Sequence, residues 1–227
     1  MSETERIRRL YDERAATYDQ SLGLVERIVL GPFRRAFGSL RQGETLEVAI
    51  GSGLNLPYYT PAVTRATGVD LSPEMLRVAR ERAASLGLPI TLLPADAEAL
   101  PFPDASFDTV AISLALCTIP NPAAALRELA RVCRPDGRVV LLEHVRSTAR
   151  PIALAQRLLS PCNVRAIGCH LDRDTIDLAV SLGFSVDESR SRLFDAVRLV
   201  VMRPPAAGHA TLARAGSKME AGADDAR

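Results

Sequence analysis

Residues 2–20 carry five acids and four arginines opposite Ile7, Leu10 and Ala15, the period of an amphipathic helix. A second apolar helical stretch covers Leu22–Phe37 and is expected to bend at Gly31-Pro32. From residue 45 the pattern changes to short apolar runs alternating with helical periods. Strands are predicted at 45–50, 65–70, 90–94, 107–116 and 138–145. Ser72-Pro73 and Asn121-Pro122 each place a capping side chain before a first-turn proline, so helices start there. Gly87 ends the first, and the second runs to about Arg134 with Leu126, Leu129, Val132 and Cys133 on its buried stripe. Pro135-Asp136-Gly137 then turns the chain. Further helices are expected near 150–160 and 174–182, followed by strands at 184–190 and 196–203.

This alternation predicts an α/β fold: a Rossmann-like, seven-stranded, mostly parallel sheet with an antiparallel last strand and helices on both faces. Residues 1–40 would form an N-terminal helical lid and 41–203 the ligand-binding domain. Residues 204–227 open with Pro-Pro and then hold only Leu212 and Met219 as large apolar side chains, which predicts a disordered tail.

Composition narrows the function. The 227 residues include 28 basic and 27 acidic ones, a net charge of +1, which gives no electrostatic drive toward nucleic acid. Aromatic residues are 4% and tryptophan is absent, so base-stacking platforms are not expected. The first residues are charged and lack the apolar stretch of a secretory signal, so a cytoplasmic location is expected. The Leu22–Phe37 stretch mixes apolar residues with Arg27, Arg34 and Arg35. It fits a cover helix on the sheet or a peripheral membrane contact. Cys117, Cys133, Cys162 and Cys169 form no CxxC pair, and the spacing displays no metal-ligand cluster.

In open α/β sheets ligands sit beyond the carboxyl ends of the strands, so the chemistry is sought there. The first strand runs into Glu47-Val-Ala49-Ile-Gly51-Ser-Gly53-Leu-Asn55. Nineteen residues beyond Gly51 stands Asp70, the spacing at which a carboxylate accepts both hydroxyls of a ribose. Leu56-Pro57 occupies the place of the third glycine of a dinucleotide fingerprint, which disfavours a nicotinamide-linked oxidoreductase. Asp96-Ala97 follows the third strand, where a carboxylate and a backbone N–H can read an adenine edge.

With LEVAIGSGLN, GVDLSPEML, ADAEALPFPDASFDTV and ARVCRPDGRVVLLEHV on the page, the chain resembles the class I S-adenosylmethionine-dependent methyltransferases over about residues 11–203. The resemblance implies S-adenosyl-L-methionine as cofactor, with Gly51 and Gly53 along its methionine portion and Asp70 on its ribose. Leu71 and Met75 would flank the adenine, Asp96 and Ala97 read its edge, and Ser113 and Leu114 line the cofactor near the methyl group. Ala49 replaces the first glycine of the usual GxGxG pattern and Asn55 the third. Glu47 would anchor the glycine loop or the cofactor amino group, and Tyr18 would meet the cofactor carboxylate or simply pack. Quinone C-methyltransferases, soluble phospholipid N-methyltransferases and methyltransferase-like thiol methyltransferases are the similar subgroups.

The implied acceptor is a small or lipophilic molecule: a thiol, a quinol or an aminophospholipid. Cys117 is expected to line its pocket, His144 to orient or deprotonate it, and the loop bearing His170 to cover it. A catalytically silent cofactor-binding subunit is the alternative from a different functional class.

Overall fold

The computed structural model describes residues 1–26 and 30–206. The tail expected to be disordered therefore lies almost wholly outside the described residues, as do Arg27, Ile28 and Val29.

Seven strands form one sheet: β1 (Gly43–Val48), β2 (Val63–Asp70), β3 (Ile90–Pro94), β4 (Phe107–Ser113), β5 (Cys133–His144), β6 (Ser185–Arg192) and β7 (Val197–Arg203). Their order is β3-β2-β1-β4-β5-β7-β6, and β7 runs antiparallel to both of its neighbours. The helices are α1 (Glu3–Arg14), α2 (Tyr18–Val25), α3 (Gly31–Ser39), α4 (Pro73–Ser85), α5 (Pro122–Val132), α6 (Arg150–Ile167) and α7 (Thr175–Ser181).

The caps act as the residue types predict. Ser72 Oγ accepts from Met75 N at 3.1 Å, and Asn121 Oδ1 accepts from Ala124 N at 3.0 Å. Along the central strands alternate residues face opposite layers. Val110, Ile112, Val139 and Leu141 pack with Leu126 and Leu129 of α5. Ala111, Val140 and Leu142 pack with Phe33 and Phe37 of α3. The apolar side of α3 is thus spent on the sheet, which is the cover-helix arrangement for this part of the 22–37 stretch.

Several boundaries differ from the sequence reading: β1 spans Gly43–Val48, β4 ends at Ser113 and α6 runs on to Ile167, and three further differences shape the site. The first helix stops at Arg14 and a second begins at Tyr18, because Ala15–Thr17 form a turn. α3 begins at Gly31, with Pro32 in its first turn. β5 begins early, at Cys133. Phe107 pairs with Cys133 while Thr109 pairs with Arg138, so the Pro135–Gly137 turn bulges out of a continuing strand.

Sheet order reverses between β1 and β4, where chain segments leave in opposite directions and open a crevice at their carboxyl ends.

Candidate functional site

A cavity occupies that crevice, enclosing about 920 Å³ of non-atom space that includes solvent at its mouth. Its floor is built from the residues that follow β1 through β4: Ala49 and Gly51, Asp70 with Leu71 and Met75, Asp96 and Ala97, and Ser113 with Leu114. α1 and α2 cover it, contributing Ile7, Arg8, Tyr11 and Tyr18. Ten of the residues singled out from sequence, Tyr18 among them, converge here.

Asp70 sits at the centre of the floor. Its Oδ2 accepts from Gly51 N at 2.8 Å and its Oδ1 from Ser72 N at 2.9 Å, which ties the glycine turn to the end of β2. Burial pushes this carboxyl up to about 6, against the opposing pull of the Ser72 and Gly51 N–H groups. Gly51 has φ of 59°, and a Cβ built there meets nothing within 4 Å, so its outer side is open to the cavity. Ala49 and Leu114 also take positive φ, 52° and 53°. Two non-glycine residues in this region flank the point where β1 and β4 diverge, a local strain held by the surrounding sheet.

Glu47, Gly53 and Asn55 do not line the cavity; they support it. Glu47 and Arg41 form a fully buried ion pair. Glu47 also accepts from Asn55 Nδ2 at 2.6 Å and Tyr59 Oη at 3.0 Å. Asn55 Nδ2 reaches Ser113 Oγ at 2.8 Å, so the turn after β1 is tied to the end of β4. The Glu47 oxygens are thus taken up by Arg41, Asn55 and Tyr59 behind the cavity. Leu56–Tyr58 make a single 3-10 turn, so no helix N-terminus of useful length follows the glycines.

The cover is latched by two acids that the sequence reading did not single out. Asp12 accepts from Ser72 Oγ at 2.6 Å, at the amino end of α4. Asp19 accepts from Ser52 Oγ at 2.6 Å and pairs with Arg82. Arg34, which also borders the cavity, is buried, pairs with Glu26 and donates to Asn55 Oδ1 at 2.8 Å. Burial raises the Tyr18 hydroxyl to about 12 and pushes Tyr11 higher still, so both stay protonated. Arg8, Asp12, Asp19 and Arg34 looked like ordinary surface charges on amphipathic helices. Only their tertiary placement distinguishes them.

Cys117, His144 and His170, expected around the acceptor, are not among the residues that line the cavity. Their position is one layer behind it. Cys117 Sγ lies 3.5 Å from Oγ1 of Thr118, a residue that lines the cavity. His144 Nε2 stands 2.8 Å from Cys169 Sγ, and Cys169 donates to Cys117 Sγ at 3.3 Å. That donation holds the Cys117 thiol well below its usual range and raises Cys169. Burial pulls the His144 imidazolium down, but the Cys117 charge and hydrogen bonding outweigh it and bring the group to about 9. His170 is half-buried, and its backbone N–H donates to Cys117 O at 3.0 Å. The strand bearing His144 lies one place further from the crevice, with Thr118 intervening, so the imidazole does not reach the cavity.

Residues 46–141 match the family model described as a methyltransferase domain. The chain is 39% identical to a phosphatidylethanolamine N-methyltransferase of Cereibacter sphaeroides over 174 residues, 75% of this chain and 83% of that protein. A ubiquinone/menaquinone biosynthesis C-methyltransferase of Geotalea uraniireducens is 34% identical over 61% of this chain and 63% of its own length. A solved SAM-dependent methyltransferase of Thermotoga maritima superposes with a TM-score of 0.68 at 19% identity, covering 87% of this chain and 99% of that one. Sheet order, the glycine turn joined to Asp70 and these likenesses lead to one conclusion: the chain belongs to the class I S-adenosylmethionine-dependent methyltransferases.

Proposed function

We propose that the protein methylates the amine of an aminophospholipid headgroup, with residues 1–40 acting as a lid over the cofactor. The observation that carries the lipid acceptor is α6. This helix contains no acid, exposes Arg150, Arg157 and Arg165, and leaves Leu154, Leu158 and Leu159 exposed by 59%, 69% and 59%. Leu193 and Phe194, at the β6–β7 turn, add exposed apolar surface beside its start, where Ser147 Oγ donates to Phe194 O. A basic face studded with leucines is complementary to an anionic bilayer surface. The far end of α6 meets the cavity wall: a Cβ on Gly168 would touch Ile7 at 2.5 Å and Thr118 at 3.2 Å. The helix therefore runs from an apolar exposed surface to the acceptor end of the site. Among the described residues no helix is long and apolar enough to cross a membrane. The Cereibacter relative's named activity agrees with this reading.

The cavity fits S-adenosylmethionine in its donor set. Asp70 retains acceptor capacity for a diol, Asp96 and the Ala97 N–H offer a complementary edge to a purine, and Leu71 and Met75 give it apolar faces. Arg34 and the protonated Tyr18 hydroxyl supply donors for a carboxylate. When bound, the cofactor supplies a methyl group already activated by a sulfonium. What remains for the protein is alignment and exclusion of water. Ser113 and Leu114 would fix the cofactor side, and the strained turn at Leu114 sets their direction. Tyr11, which stays protonated and cannot act as a base, orients the acceptor as a donor. The amine must arrive as its free base, and its proton leaves through the mouth to water.

Quinol C-methylation is the second reading, favoured by the Geotalea relative over a shorter stretch. Labelled cofactor, offered with vesicles containing phosphatidylethanolamine and separately with a demethylated quinol and a small thiol, decides between them. Methylated headgroup as the dominant product is expected. Transfer only to the quinol or the thiol overturns the lipid reading, and transfer to none of them favours the silent-subunit alternative.

A further inference from the structure

Three soft donors from distant parts of the chain meet behind the cavity wall. Cys117 comes from the loop after β4, His144 from the last residue of β5, and Cys169 from the loop after α6. Their Sγ, Nε2 and Sγ atoms all lie within 4.8 Å of one another, and both cysteines are buried. The closest approaches are 2.8 Å between His144 and Cys169 and 3.3 Å between the two sulfurs.

We propose that Cys117, His144 and Cys169 form a binding site for a soft divalent cation of the zinc class, with a fourth, exchangeable position. Two thiolates and one imidazole match the ligand set of three-coordinate protein zinc sites that keep one position for water. Bond lengths of about 2.3 Å to sulfur and about 2.0 Å to nitrogen, arranged tetrahedrally, separate the donors by roughly 3.5–3.8 Å. The spacings of 2.8 and 3.3 Å fall short of that range by roughly half to three-quarters of an ångström, so the donors move apart slightly to admit the ion. Cation binding displaces the protons shared among the three donors, leaving two thiolates and a neutral imidazole on the ion, and replaces the Cys169–Cys117 hydrogen bond.

A buried, half-satisfied carboxyl adjoins the cluster in sequence. Glu143 is fully buried beside His144. Its Oε1 accepts from Ala115 N and Leu116 N at 3.0 and 3.1 Å, while Oε2 has no hydrogen-bond partner. Buried carboxylates left half-satisfied are costly. Joining the ends of β4 and β5 to the loop after α6 would also stiffen the wall that carries Thr118.

The test uses the full chain, purified under a thiol reductant, dialysed against a chelator and then loaded with zinc or cobalt(II). Expected results are about one zinc per chain by elemental analysis and a higher melting temperature with zinc. The cobalt form should show sulfur-to-metal charge transfer and intense tetrahedral ligand-field absorption. Cys117→Ser, Cys169→Ala and His144→Ala should each weaken zinc binding beyond the roughly 10–100-fold typical of supporting residues. Cys162→Ala, an exposed cysteine outside the cluster, should leave it unchanged. Wild-type protein that binds S-adenosylmethionine yet takes up no metal and shows no cobalt spectrum overturns the proposal. So does a Cys117–Cys169 disulfide that persists under reductant. Because these readouts require no acceptor, their failure is separable from failure of the aminophospholipid reading.

Discussion

The Asp70 carboxylate and the Gly51 N–H meet at 2.8 Å, and this contact joins the glycine turn after β1 to the end of β2 on the floor of the cavity. A single side chain therefore shapes the glycine turn and presents the acceptor oxygens. Asp70→Ala should weaken cofactor binding at least roughly tenfold, since it removes charge-assisted hydrogen bonds of about 1.5–3 kcal/mol each. Calorimetry on a folded variant with wild-type affinity would exclude Asp70 from the site.

The same carboxyl gives opposite pH responses for binding and folding. Its folded value of about 6 lies above the ordinary 3.8, because burial penalises the charged form. The native state therefore holds more protons than the unfolded chain between these values. This group's contribution to stability rises as pH falls from about 6 toward 4. Cofactor affinity, which needs the carboxylate, should fall over the same window. Across that range the melting temperature of wild type relative to Asp70→Ala should rise as pH falls, while wild-type cofactor affinity measured by calorimetry falls. The affinity change should be absent in Asp70→Ala.

How far the sequence reached follows from where each signal lives. Ser72-Pro73 and Asn121-Pro122 cap their helices through contacts three residues apart, so they were readable locally. The Gly51–Asp70 pairing spans nineteen residues but is fixed by strand geometry, and its spacing revealed it. Cys169 lies 52 residues from Cys117 and 25 from His144, with no motif linking them. Only the packing of the α6 loop against the ends of β4 and β5 brings them together. Arg41 was invisible for another reason: an arginine just before a strand reads as solvated. Here it is sandwiched between Phe37 and Tyr59, with its charge centre 3.9 Å from the Tyr59 ring.

That sandwich makes Arg41–Glu47 a sensitive point. Arg41→Met strands a buried carboxylate beneath the glycine loop and should cost about 3–5 kcal/mol. Arg41→Met combined with Glu47→Leu should recover part of the loss by removing the orphaned charge. Denaturant midpoints of the two single variants and the double variant measure the coupling; strict additivity would show that the pair is not energetically linked.

Ala49 offers a gain. At φ of 52° an alanine is strained by about 1–2 kcal/mol, whereas glycine occupies this region freely. The extra unfolded-state entropy of glycine offsets about 0.4–1 kcal/mol. Ala49→Gly should thus raise stability by a few tenths to about 1 kcal/mol. Ala111→Gly, in the middle of β4, should lower it. Melting temperatures that fall in both variants would show that the turn after β1 relaxes with no strain to release.

The last prediction concerns the surface that would admit a lipid. Leu158 on α6 and Phe194 at the β6–β7 turn are 69% and 70% exposed, and neither borders the cavity. Inserting a leucine or phenylalanine side chain into an interface gains up to about 1.5–3 kcal/mol. Leu158→Glu also places an acid among Arg150, Arg157 and Arg165, which opposes attraction to anionic lipid. Each of Leu158→Glu and Phe194→Ser should reduce partitioning onto anionic phosphatidylethanolamine vesicles by roughly tenfold. Cofactor affinity in solution should be unchanged, because Asp70, Gly51 and the lid latches lie elsewhere. Vesicle sedimentation with cofactor calorimetry separates the two effects. Unaltered partitioning in the double variant would remove α6 as the membrane face, whereas a parallel loss of cofactor affinity would mean that the surface supports the fold rather than the lipid.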